Sequence, residues 1–268
     1  MILRVVNTMS HAHVDKTPQH SRVPAYPPSA HALTREGDVF FVGGSLPIDD
    51  TLTTMFDSFC QESTSLFHLT LGSPDQLPHG IELARQIKRN FHARLMARLS
   101  GPVGSETVAA LYAAGIDLLD VPLTAAPSNT DAETDQRTWV ALRAAVSVFP
   151  RWAVASSLPA HDATATATLD RIDTLLAAGV VPLVFDNEGS DSGKVKEYLA
   201  AAWERRNVPL TPFIPLIRII AADICPSPAG GLRGVFARLR DRQQLVAADL
   251  RRHLRVQVPT DSLDSAGL

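Results

Sequence analysis

Residues 91–123 read FHARLMARLS GPVGSETVAA LYAAGIDLLD VPL, and this stretch decides the fold. A short apolar run, His92–Leu99, is followed by Gly101-Pro102 and an amphipathic segment. Val108, Leu111 and Tyr112 fall at i, i+3 and i+4, which is helix spacing. Gly115 then stands where a helix-terminating glycine belongs, and a second apolar run, Ile116–Leu123, follows. The order is strand, helix, glycine stop, strand.

The same order returns in Arg151–Asp186. Trp152–Leu158 is the predicted strand and Thr164–Ala178 the helix. Gly179 is the stop and Val180–Phe185 the next strand. Leu169, Ile172, Leu175 and Leu176 make one apolar face. Two such units predict a parallel β/α repeat, whose strands are covered on both faces and so read as continuous apolar runs. Strands are expected near 38–42, 66–71, 92–99, 116–123, 152–158, 180–185 and 208–214. The predicted fold class is α/β: a full or partial parallel (β/α) TIM-like barrel with its chemistry at the C-terminal strand ends.

The 268 residues suffice for one large domain. Residues 1–36, rich in His and Pro, read as an extended arm and 37–228 as the barrel. An Arg-rich helical segment, 229–258, is expected to cover an end or outer face of the barrel, and 259–268 form a disordered tail. The formal net charge of −3 offers no basic field for nucleic acid. No apolar run approaches the ~20 residues needed to span a bilayer, and no secretory signal is read, so the expected location is cytoplasmic. Cys60 and Cys225 make no disulfide framework, and Cys60 is expected to be a small buried hydrophobe.

The candidate site residues follow apolar runs: Gly72, Ser73, Ser100, Gly101, Ser157, Asp186 and Glu188. Together they predict a polar small-molecule pocket at one mouth. The glycines would let a ligand approach the backbone, the serines would offer neutral hydrogen bonds, and the acids would take an amine. Asp120 and Asp186 are a possible acid/base pair or simple loop carboxylates. Arg94 and Arg98 alternate on one strand, so either they enter a polar barrel interior or that strand is an edge. Gly43-Gly44-Ser45 is either an anion cradle or a plain turn. Gly189–Lys194 is one residue short of a phosphate loop. His11 and His13 have the spacing with which amidohydrolase barrels supply two metal ligands, but the later histidines do not fall at strand ends, and no metal site is assigned.

From Leu69 onward, LTLGSPDQLP HGIELARQIK and the opening stretch resemble the radical SAM enzymes, in the branch of biotin synthase, the hydrogenase maturase and methylornithine synthase. Leu69–Pro74, Leu99-Ser100-Gly101 and Glu106–Asp117 match that branch's order of turn, helix, strand and helix. Ser157-Leu158-Pro159 fits the later part, and the likeness runs from about Asp38 to Pro228. The resemblance implies a radical-SAM-like barrel and S-adenosylmethionine as a possible ligand. The chain departs from it in chemistry. The family's Cys-x3-Cys-x2-Cys triplet is missing, so no [4Fe–4S] cluster is expected. Ser73 replaces the acid of the turn that takes the SAM amine, and Thr124-Ala125 replace a later acid. Three expectations follow: a cluster-free barrel that binds a small amine-bearing metabolite or SAM, alone or as accessory to a partner protein; a cluster-free metabolic enzyme of lyase or aldolase type; or a scaffold using the Arg-rich segment.

Overall fold

The computed structural model describes residues 26–123, 132–160, 165–186 and 192–226, with scattered positions between 243 and 252. The sheet has seven strands in chain order: β1 (Leu33–Glu36), β2 (Val39–Gly43), β3 (Leu66–Thr70), β4 (Arg94–Arg98), β5 (Leu118–Asp120), β6 (Val154–Ala160) and β7 (Val181–Asp186). β1 pairs antiparallel with β2, and every later pair is parallel. The sheet curls into a half-barrel. The connecting helices are α1 (Ile48–Gln61), α2 (Leu77–Asn90), α3 (Ser105–Ala113), α4 (Ala132–Val148), α5 (Ala165–Ala177) and α6 (Gly193–Arg205), and α7 (Ile214–Ile220) follows.

Both predicted glycine stops have a physical cause. Gly115 lies at φ +106° and Gly179 at φ +78°, where a side chain is strained. Gly115 N–H donates to Tyr112 O at 3.1 Å and Ile116 N–H to Leu111 O at 3.2 Å. Gly179 and Val180 repeat this pair onto Leu176 and Leu175. These are Schellman closures, which satisfy the last helical carbonyls and aim the chain back along the sheet. α6 ends the same way: Asn207 at φ +49° donates to Glu204 O, and Val208 to Trp203 O.

No strand follows that third closure, and this corrects the expectation at 208–214. Pro209 and Pro212 bring no N–H to a ladder, and Pro215 suits the first turn of α7. α7 instead packs on β7, and its Arg218 reaches Asp38 before β2 at 3.9 Å. The helix therefore lies across the open side of the half-barrel. A second difference is β1, whose residues the sequence reading places in the arm.

Consecutive parallel strands put their connecting helices on one side of the sheet. Phe67 marks that convex side, with Phe59 of α1 at 6.4 Å and Phe91 at 5.0 Å between ring centres. The register carries the same parity through Val42, Leu69, Ala97, Leu119 and Val154, an all-apolar row. The row formed by the last paired residues of β3 to β5, Thr70, Arg98 and Asp120, is polar. Cys60 is exposed on α1 rather than buried, because Thr51 and Met55 hold the inner face of that helix. Of the Arg-rich segment, buried Arg252 bonds to Ile116 O (3.1 Å) and Asp117 (3.0 Å) and lies over the Tyr112 ring, at the start of β5. Among the described residues no helix is long and apolar enough to cross a membrane.

Candidate functional site on the concave face

The polar row comes from strand ends held in register, and its centre is an ion pair. Arg98 Nη1 donates to Asp120 Oδ2 at 2.5 Å; Asp120 is fully buried and Arg98 8 % exposed. Ser157, two residues along β6 from the partner of Asp120, donates from its backbone N–H to Oδ1 (2.8 Å) and from Oγ to Oδ2 (2.7 Å). Arg98 Nη1 also contacts Ser157 Oγ. Burial works against the Arg98 charge, and Asp120 and Tyr26 together more than offset it, holding the guanidinium pKa above its ordinary value. β4 is central in the sheet, so Arg98 enters a polar interior and the edge-strand alternative falls.

His68 lies two residues before Thr70 on the same face of β3, next to Met96 in register. It is fully buried, and neither ring nitrogen has a hydrogen-bond partner; the same holds for Thr70 Oγ1. Burial drags the His68 pKa down to about 4, with Asp120 opposing only in part, so the imidazole is neutral at pH 7. A neutral imidazole offers one donor and one acceptor.

Tyr26 covers these groups. Its ring meets His68 and Phe185 edge-on, at 5.9 and 5.0 Å, and the Arg98 guanidinium lies 5.2 Å from its centre. The hydroxyl donates to Asp120 Oδ2 at 3.4 Å and accepts from Arg98 at 3.5 Å. Burial, then the Asp120 charge, holds the phenol above its ordinary pKa. Beside the ring is a cavity of about 150 Å³, lined by Tyr26, Pro28, Ser29, Thr34, Phe41 and Ile219 among others.

The other sequence candidates are placed as follows. Ser157 is inside β6 and belongs to the buried cluster. Ser100 Oγ donates to Leu71 O, tying two adjacent strand ends together. The open side of Gly72 is filled by Gln76, whose Oε1 is 2.1 Å from where a Cβ would stand, whereas Gly101 has open space. Ser73 is exposed and starts a short 3-10 turn, Pro74–Gln76. Asp186 ends β7 with its carboxylate engaged by Ser192 and by Lys196 Nζ at 2.6 Å. Glu188 and Thr124 lie outside the described residues, as do His11 and His13. Asp120 and Asp186 each hold a cation of their own, Arg98 and Lys196. At Gly43-Gly44-Ser45 the amides donate to Ala32 O, Thr70 O and Ala30 O, so the anion-cradle reading gives way to a turn.

His68 and Thr70 are the residues that the sequence reading passed over. Their signal is parity: a polar residue at i and i+2 inside the apolar run SLFHLTL. Tyr26 carries no such signal, because it reaches the sheet from outside any strand.

An iron–sulfur cluster does not fit these residues. The chain has two cysteines, one exposed on α1 and one half-buried after α7. Among the described residues no group of three or more His, Cys, Asp or Glu could hold a metal ion. No protein-family model matches the chain, and no curated protein matches it.

Proposed function

We propose that this chain is a cluster-free, radical-SAM-like half-barrel that binds a small amine-bearing metabolite, an amino acid or S-adenosylmethionine, on its concave face. It works as a cytoplasmic binding or accessory protein. One observation supports the reading: His68 Nδ1, His68 Nε2 and Thr70 Oγ1 are buried without partners beside a neutralised ion pair. Each such orphan costs ~1–3 kcal/mol unless something satisfies it, and native proteins rarely keep three together. An ammonium group donates both to the imidazole lone pair and to the threonine oxygen. The cavity of about 150 Å³ is below the roughly 300–1,000 Å³ of sites for drug-sized ligands. Neither His68 nor Thr70 lines it, so an amino acid or SAM reaches them only when Tyr26 moves.

The lyase or aldolase alternative has less support. A Schiff-base lysine is neutral at working pH. Burial pulls buried Lys196 that way, but hydrogen bonds from Lys196 to Asp186 and Asp223 hold its pKa above the ordinary lysine value.

Calorimetry with SAM and with the amino acids tests the proposal on the wild type and on His68→Phe/Thr70→Val. At least one ligand is expected to bind, and the double variant should lose about tenfold or more. Asp186→Ala should bind as the wild type does, because Asp186 is committed to Lys196. No binding of any of these ligands refutes the reading, and equal binding by the double variant moves the ligand away from β3.

A further inference from the structure

We infer that Tyr26 is a built-in, removable occupant of the concave site, and that the ligand displacing it presents a flat ring bearing a group that both donates and accepts a hydrogen bond. The inference rests on the reading of the concave face as a ligand site and adds the shape of the group that enters it.

Four observations carry it. The ring makes T-shaped contacts with His68 and with Phe185 and has the Arg98 guanidinium 5.2 Å from its centre, surroundings that suit a flat π system. The hydroxyl contacts are weak: 3.4 and 3.5 Å, against the 2.7–2.8 Å typical of O–H···O bonds. Asp120 takes Arg98 and Ser157 at 2.5–2.8 Å without help from Tyr26, so the pair stays satisfied when the phenol leaves. His68 and Thr70 stay unpartnered while Tyr26 is in place, so the tyrosine fills the space without completing the hydrogen bonds.

There is also somewhere for the side chain to go. The cavity beside Tyr26 is bounded by its own segment, through Pro28 and Ser29, and by Ile219 of α7, and not by His68 or Thr70.

The probe is p-cresol, titrated by calorimetry into the wild type and into Tyr26→Ala, with circular dichroism to check folding. Tyr26→Ala is expected to fold and to bind one p-cresol at least about tenfold more tightly than the wild type, in which the tyrosine competes. Toluene should bind Tyr26→Ala about tenfold more weakly than p-cresol. Equal binding by wild type and variant, or none by the folded variant, overturns the inference. A Tyr26→Ala chain that does not fold also overturns it, because a removable occupant is dispensable to the sheet. Toluene binding as well as p-cresol refutes the hydrogen-bonding requirement. Binding of p-cresol with no response to SAM or amino acids upholds the occupant and removes the amine-bearing ligand.

Discussion

Removing the charge of Asp120 should be the most damaging conservative change in the sheet. Asp120→Asn keeps the size of the side chain and leaves Arg98, 8 % exposed, without a counter-ion. It also turns one acceptor into a donor where four donors converge: Arg98 Nη1, Ser157 N–H, Ser157 Oγ–H and the Tyr26 hydroxyl. Breaking a buried pair on one side costs about 3–5 kcal/mol. At ~2–4 °C per kcal/mol for a chain of this size, Tm should fall by roughly 6–20 °C. Arg98→Met leaves the carboxylate buried and should cost a similar amount. The double variant Arg98→Met/Asp120→Leu removes both charges and should recover most of that loss, as apolar replacements of buried pairs do. Urea and thermal unfolding of the wild type, Arg98→Met, Asp120→Leu and the double variant, followed by circular dichroism, form a closed cycle. Single variants that each lose less than about 1 kcal/mol would show that water screens the pair. That result would refute the description of the concave face as a dry polar site. A double variant less stable than either single would refute the pairing itself.

Three further outcomes are expected. The His68 pKa of about 4 in the folded chain lies below the ~6.5 of an unfolded histidine. The unfolded state therefore holds more protons between these values. Stability should fall by ~3 kcal/mol as pH drops through that window and lose nothing more from this group below it. The pH dependence of urea unfolding, wild type against His68→Phe, measures this, and identical profiles would refute it. Gly115→Ala places a Cβ 2.5 Å from Lys88 Cγ at φ +106°, while Gly179→Ala at φ +78° meets nothing within 4 Å. Both should be destabilised by ~1 kcal/mol or more from backbone strain, Gly115→Ala by the larger amount, in parallel thermal melts. Anaerobic reconstitution with iron and sulfide should leave the isolated chain colourless, with far less than the four irons of a [4Fe–4S] cluster by elemental analysis.

What could be read from the sequence depends on how local its cause is. Gly115 and Gly179 punctuate their own helices, so the repeat shows within a window of thirty residues. Asn207 makes the same closure, and only the prolines after it say that no strand follows. Those prolines are legible in the sequence, and they decide against a ladder whatever the apolar character of Val208–Ile214. The position of Tyr26 has no local cause at all; its partners Arg98 and Asp120 are 72 and 94 residues away.

The polar row stands between these extremes. His68, Thr70, Arg98, Asp120 and Ser157 are each an exception inside an apolar run, and each alone reads as an oddity. Register turns them into a site. The convex row of Val42, Leu69, Ala97, Leu119 and Val154 must face the helices, and a slip of one residue in any strand would expose it and drive a polar side chain into the helix layer. The burial that fixes the apolar row thus also fixes which polar residues meet. Arg98 stands beside Asp120 because Ala97 has to stand beside Leu119. On this argument a substitution such as Ala97→Glu on the convex face, remote from Tyr26, should dismantle the concave cluster along with the strand.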